Sequence, residues 1–101
     1  NEYGQLGLGN IINYYSPQKL QLSNVTSISC GFSHTIAFAK NSNKIYVWGT
    51  NYCGELGLGP GERTGRSSSG GDNRSHNKPT ELFLPFDVLK IKCGHCFTIV
   101  L

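Results

Sequence analysis

Methionine is missing from all 101 residues, tryptophan occurs once, and only 15% of the chain is charged. With no initiator methionine, and with Asn1 already inside a motif, the chain reads as a segment of a longer protein. No stretch approaches the roughly 20 apolar residues that a membrane-spanning helix needs, and no leader peptide is visible. A net charge of +3 falls short of the basic footprint of a nucleic-acid-binding domain. Strong helix formers are scarce, while glycine is abundant at 13 residues. That balance favours short strands and tight turns over a helical bundle.

Chemical motifs are equally sparse. Gly57-Leu58-Gly59-Pro60-Gly61 has the glycines of a phosphate-binding loop but lacks the following Lys-Ser/Thr,. Cys93-x-x-Cys96, with His95 between, has half the spacing of a zinc or redox motif, and no second Cys-x-x-Cys completes it,. Cys30, Cys53, His34 and His76 are the residues that could be called on to do so. Ser67, Ser68 and Ser69 have no ordered base nearby to activate a nucleophile. Asn24-Val25-Thr26 and Asn73-Arg74-Ser75 match the glycosylation acceptor by letters alone,. No catalytic residue, metal ligand or cofactor is assigned.

Repetition is what the sequence does contain. Asn1, Gly4, Leu6, Gly7, Leu8 and Gly9 return as Asn51, Gly54, Leu56, Gly57, Leu58 and Gly59, an offset of 50, with Gln5 replaced by Glu55. Val25, Ile28, Cys30, Gly31, Thr35 and Ile36 return as Val88, Ile91, Cys93, Gly94, Thr98 and Ile99, an offset of 63. The extra residues therefore lie between Gly59 and Val88. Residues 60–78 hold no large apolar side chain and read as a flexible insert that cannot offset its own ordering entropy. Its Arg63, Arg66 and Arg74 make it a candidate interaction loop on an otherwise rigid scaffold, although a tolerated surface expansion is the favoured reading because long insertions cost little loop entropy.

Strand signals are short and frequent. Residues 25–30, 34–39 and 45–48 read as strands, the last two as a hairpin around Asn41-Ser42-Asn43. Residues 19–22, 80–84 and 97–101 could supply three more. Several short strands per repeat of about 50 residues favour a propeller blade over a helical solenoid. In that setting the glycines permit close backbone approach, and Leu6, Leu8, Leu56 and Leu58 anchor each loop to a core. Cys30 and Cys93 become equivalent small buried residues at strand ends, and His34 a structural link between loop and strand. Trp48 and Tyr46 become blade-to-blade packing.

Taken together, these residues resemble the regulator of chromosome condensation repeat. The match runs through Gly4, Leu6, Gly7 and Gly9 in the first copy. It continues through Gly31, His34, Thr35, Trp48, Gly49, Asn51, Gly54, Leu56, Gly57 and Gly59, then Gly94 and Thr98. Phe97 stands where the motif has histidine. The resemblance implies an all-β fold, a partial β-propeller of about two repeats, from a ring of seven blades. Residues 1–101 would hold one complete blade and parts of its neighbours, and would be marginal in isolation. It further implies a non-enzymatic protein-interaction or scaffold module. The alternative is a guanine-nucleotide exchange factor for a small Ran-like GTPase. Protein partners are expected, a small GTPase among them, in cytoplasm or nucleus. Chromatin is a partner that the charge does not support, and neither a membrane nor a small-molecule substrate is indicated.

Overall fold

The computed structural model describes residues 1–59 and 74–101. The chain forms two antiparallel sheets. The larger has strands β1 (Ser27–Cys30), β2 (His34–Ala39), β3 (Lys44–Gly49) and β4 (His76–Leu82), in that spatial order. The smaller pairs β5 (Ile91–Cys93) with β6 (Thr98–Val100). Placed on the repeat, β5 and β6 are the second copies of β1 and β2. The order is therefore a glycine loop, a four-stranded sheet, a second glycine loop, and the start of the next sheet.

The β2–β3 hairpin forms where the alternation of apolar and small residues predicts it. Its register pairs Ile36 with Val47 and Phe38 with Ile45 on one face, and Thr35 with Trp48 and Ala37 with Tyr46 on the other. A single 3-10 turn, Lys40–Ser42, joins the strands, and Asn43 closes it at φ 52°. Asparagine tolerates that left-handed conformation better than most residues. The Asn43 side chain also reaches the next repeat. Its Oδ1 accepts the Val88 amide at 3.0 Å and its Nδ2 donates to the Phe86 carbonyl at 3.4 Å.

Both faces of the hairpin are covered. Ile36, Phe38, Ile45 and Val47 form the core with Leu56 of the second glycine loop and with Val88 and Ile91 of the following repeat. Thr35 and Trp48, on the opposite face, meet the first glycine loop. A central sheet buried on both sides, with a neighbouring repeat against each, is how stacked repeats build a continuous core.

Four expectations need correction. Residues 19–22 form no strand: the Leu22 amide turns back on the Leu20 carbonyl at 2.9 Å. The corresponding later segment zips onto β3, whereas the earlier copy has no β3 in this chain to pair with. That later strand runs from His76 to Leu82 rather than over 80–84, so residues 76–78 of the expected insert belong to the sheet. Residues 60–73 of that insert lie outside the described residues. Pro79 is accommodated because β4 is an edge strand, where no neighbour needs its missing N–H,. Cys30 is exposed, not buried, and Cys93 is only half-buried. The last correction concerns Leu6, which is 41% exposed although Leu56 is fully buried. For both Cys30 and Leu6, the covering neighbour seen in the second copy has no counterpart in the chain.

Candidate interaction site

The two glycine loops are built by the same hydrogen bonds, and those bonds explain the motif letter by letter. In the first, Asn1 Oδ1 accepts the Leu6 amide at 2.8 Å and Gln5 Oε1 accepts the Tyr3 amide at 2.9 Å. In the second, Asn51 Oδ1 accepts the Leu56 amide at 3.0 Å and Glu55 Oε1 accepts the Cys53 amide at 2.9 Å. Only an acceptor oxygen is needed at the Gln position, so glutamate can replace glutamine. The Gly4 and Gly54 amides close turns onto Asn1 and Asn51, and Gly7 and Gly57 onto Gly4 and Gly54. Gly7 shows why glycine is required: its φ is +73° and a Cβ there would run into the Trp48 indole.

The loops are then fastened to the next strand. Gln5 offers its carbonyl to Thr35 Oγ1 at 3.1 Å and to Trp48 Nε1 at 2.6 Å. One repeat later, the Glu55 carbonyl accepts from Thr98 Oγ1 at 2.7 Å. Since the Thr98 hydroxyl proton is committed there, its oxygen accepts from His34 Nε2 at 3.1 Å, which assigns the Nε2–H tautomer to His34. Among the described residues, none forms a hydrogen bond to His34 Nδ1. Burial lowers the His34 pKa below its ordinary value, opposed by the Glu55 charge and the Phe97 carbonyl. The ring lies over Gly31, and Phe97 lies over Gly94 in the same way, each filling the space a Cβ would take. Phe97 thus keeps the packing part of the histidine's position and gives up the hydrogen bond. Gly49, at φ +102°, brings the end of β3 against the Ser33 carbonyl. Gly9 and Gly59 close the two loops, again at positive φ.

These polar groups are spent on their own loops and on the adjacent strands. Cys93 is directed inward: its amide donates to Ser29 Oγ at 2.9 Å, and burial raises its thiol pKa against opposing bonds from Ser29 and Thr98. It therefore does not converge with Cys96, as the Cys-x-x-Cys spacing suggested.

What the loops leave outside is aromatic. Phe32 is 73% exposed and Tyr52 67%. Phe32 stacks on His95 with ring centres 4.4 Å apart, and Tyr3 meets Tyr52 edge-on at 6.3 Å. The four rings rim a cavity of about 170 Å³, whose wall also includes Cys53, Glu55 and Cys96. Sequence reading passed over this cluster because Phe32, Tyr52 and His95 lie outside the repeat motif. The signal was available in their being large, aromatic and next to motif glycines. Of the expected basic loop, Arg63 and Arg66 lie outside the described residues. Arg74 lines a separate polar hollow of about 300 Å³ with His76 and Lys78.

Comparison with known proteins agrees with this architecture. The family model described as "Regulator of chromosome condensation (RCC1) repeat" matches residues 1–38 and 42–101, and a second model of that description matches 25–55. The chain is similar to the ultraviolet-B receptor UVR8 of Arabidopsis thaliana, at 33% identity over 99 residues. That match covers 93% of this chain and 20% of the receptor. The probable E3 ubiquitin-protein ligase HERC4 of Homo sapiens is 43% identical over 60 residues, 56% of this chain and 6% of the ligase. Among solved structures, yeast RCC1 (Prp20) bound to Kap60 superposes with a TM-score of 0.70 at 27% identity, covering 96% of this chain and 21% of that one. The chain thus spans about a fifth or less of each relative. The fold is that of part of a β-propeller.

Proposed function

Since the chain belongs to the regulator of chromosome condensation repeat family, we propose that it is part of a non-catalytic protein-interaction module. Its binding surface is the aromatic rim formed by Tyr3, Phe32, Tyr52 and His95. One observation carries the reading. The motif residues from Asn1 to Gly9 and Asn51 to Gly59 turn their hydrogen bonds onto themselves and the adjacent strands, while the large rings beside them stay exposed. Exposed aromatic clusters on rigid supports make anchors for protein partners. Arg74, with Lys78, adds a cationic flank, and the partner would be a folded protein rather than a small molecule. Yeast RCC1, solved in complex with Kap60, offers a precedent for a protein partner.

Site-specific photocrosslinking tests this. A photoreactive residue at Tyr52 is expected to capture a protein partner in cells, and one at the fully exposed Tyr15 is expected not to. Equal capture at both positions, or none at Tyr52, would contradict it. A second reading, nucleotide exchange on a small Ran-like GTPase, follows from the family resemblance. Accelerated GDP release from such a GTPase would favour it, and no acceleration at saturating protein would remove it.

A further inference from the structure

Three departures from the repeat meet in space. Cys53 stands where the first copy has Tyr3, Glu55 where it has Gln5, and Cys96 where it has Ser33. They come from two segments, the loop after β3 and the turn between β5 and β6. The two thiol sulfurs and a Glu55 carboxylate oxygen all lie within 4.8 Å of one another. In a tetrahedral zinc site, with Zn–S about 2.3 Å and Zn–O about 2.0–2.2 Å, donor atoms sit roughly 3.5–3.8 Å apart. The three donors are therefore within a small side-chain adjustment of that geometry.

A second, independent feature points to a cation. Glu55 is only 3% exposed, and among the described residues no lysine or arginine forms an ion pair with it. A carboxylate removed from water needs hydrogen bonds and a positive partner. The Cys53 amide supplies one bond, to Oε1 at 2.9 Å, which also fixes the carboxylate's orientation. Among the described residues, the arrangement lacks that positive partner.

We propose that Cys53, Glu55 and Cys96 bind one zinc ion. Two thiolates make the site soft enough to select zinc over magnesium or calcium. Binding to the thiol forms releases two protons, one from each cysteine. The fourth position faces the cavity of about 170 Å³ and takes a water molecule. His95, with Nδ1 3.0 Å from Cys96 Sγ, supports that sulfur from outside, as outer hydrogen bonds do at metal sites. The bound ion would staple the second glycine loop to the next repeat. The set differs from the one the Cys93-x-x-Cys96 spacing suggested: Cys96 contributes, Cys93 does not.

The reduced, metal-free protein should be titrated with cobalt(II), then with zinc. One equivalent of cobalt should give thiolate-to-metal charge transfer and the strong d–d absorption of tetrahedral coordination. One equivalent of zinc should abolish both. Glu55→Gln and Cys96→Ser install the first copy's own residues, so the loop keeps its hydrogen bonds and its circular dichroism. Each should weaken zinc binding at least about tenfold, and Cys30→Ser should leave it unchanged. Absence of the cobalt spectrum in the reduced protein would overturn the assignment. So would wild-type affinity in both E55Q and C96S, or loss of binding in C30S.

Discussion

At the scale of single residues, most motif letters have a bond, a contact or a positive φ that favours them. Asn51 holds the buried Leu56 amide, so Asn51→Ala should cost about 1–3 kcal/mol, the penalty of stranding a buried donor. Urea denaturation measures that directly. Gly7→Ala should cost at least about 1 kcal/mol from the positive φ alone, and more from the Trp48 indole beneath it. His34 makes a prediction with pH. Its folded-state pKa lies below the ordinary 6.5, so on acidification the unfolded chain takes up the proton first. The stability contribution is complete above about pH 6.5 and falls as pH drops toward the folded-state value. Below that value it stays flat. His34→Phe, which copies Phe97, should erase that segment of the stability profile when denaturation is followed across about pH 5 to 8. A slope unchanged in the variant would assign it to another group.

At the scale of elements, equivalent positions have opposite surroundings. Ile91 on β5 is 6% exposed, while its counterpart Ile28 on β1 is 61% exposed. Ile91→Ala should therefore cost about 2–5 kcal/mol, whereas Ile28→Ala should change stability by less than about 0.5 kcal/mol. Equal effects would contradict the packing described. This asymmetry marks the limit of what the sequence discloses. The β2–β3 hairpin was legible because its alternation and its polar turn are local. So were the glycine loops, because the same letters recur. The exposure of Cys30 and Leu6, and the failure of residues 19–22 to form a strand, depend on which neighbours are present to cover them. Residues 76–78 look like insert because they are polar, yet His76 pairs with Gly49 of β3 and the Asn77 carbonyl accepts the Gly9 amide of the first glycine loop. The meeting of Cys53, Glu55 and Cys96 was hidden for a similar reason. It joins two loops that are far apart along the chain; the spacing offers Cys53 and Cys96 only as possible companions of Cys93, and Glu55 reads only as a variant of Gln5.

At the scale of the whole molecule, the central claim is that the repeated glycine motif is spent on joining adjacent sheets, leaving the exposed aromatic rim for recognition. Loops that carry binding or chemistry usually open at low free energy, whereas loops that join sheets open with the core. Val47, Ile36 and Leu56 share one buried cluster, so the second loop and the central strands should unfold together. Amide hydrogen exchange resolves the two cases. The Leu56 amide, held by Asn51, should show an opening free energy within about 1 kcal/mol of the most protected β2 amides. Exchange of Leu56 at the rate of an open loop, while β2 stays protected, would contradict the account.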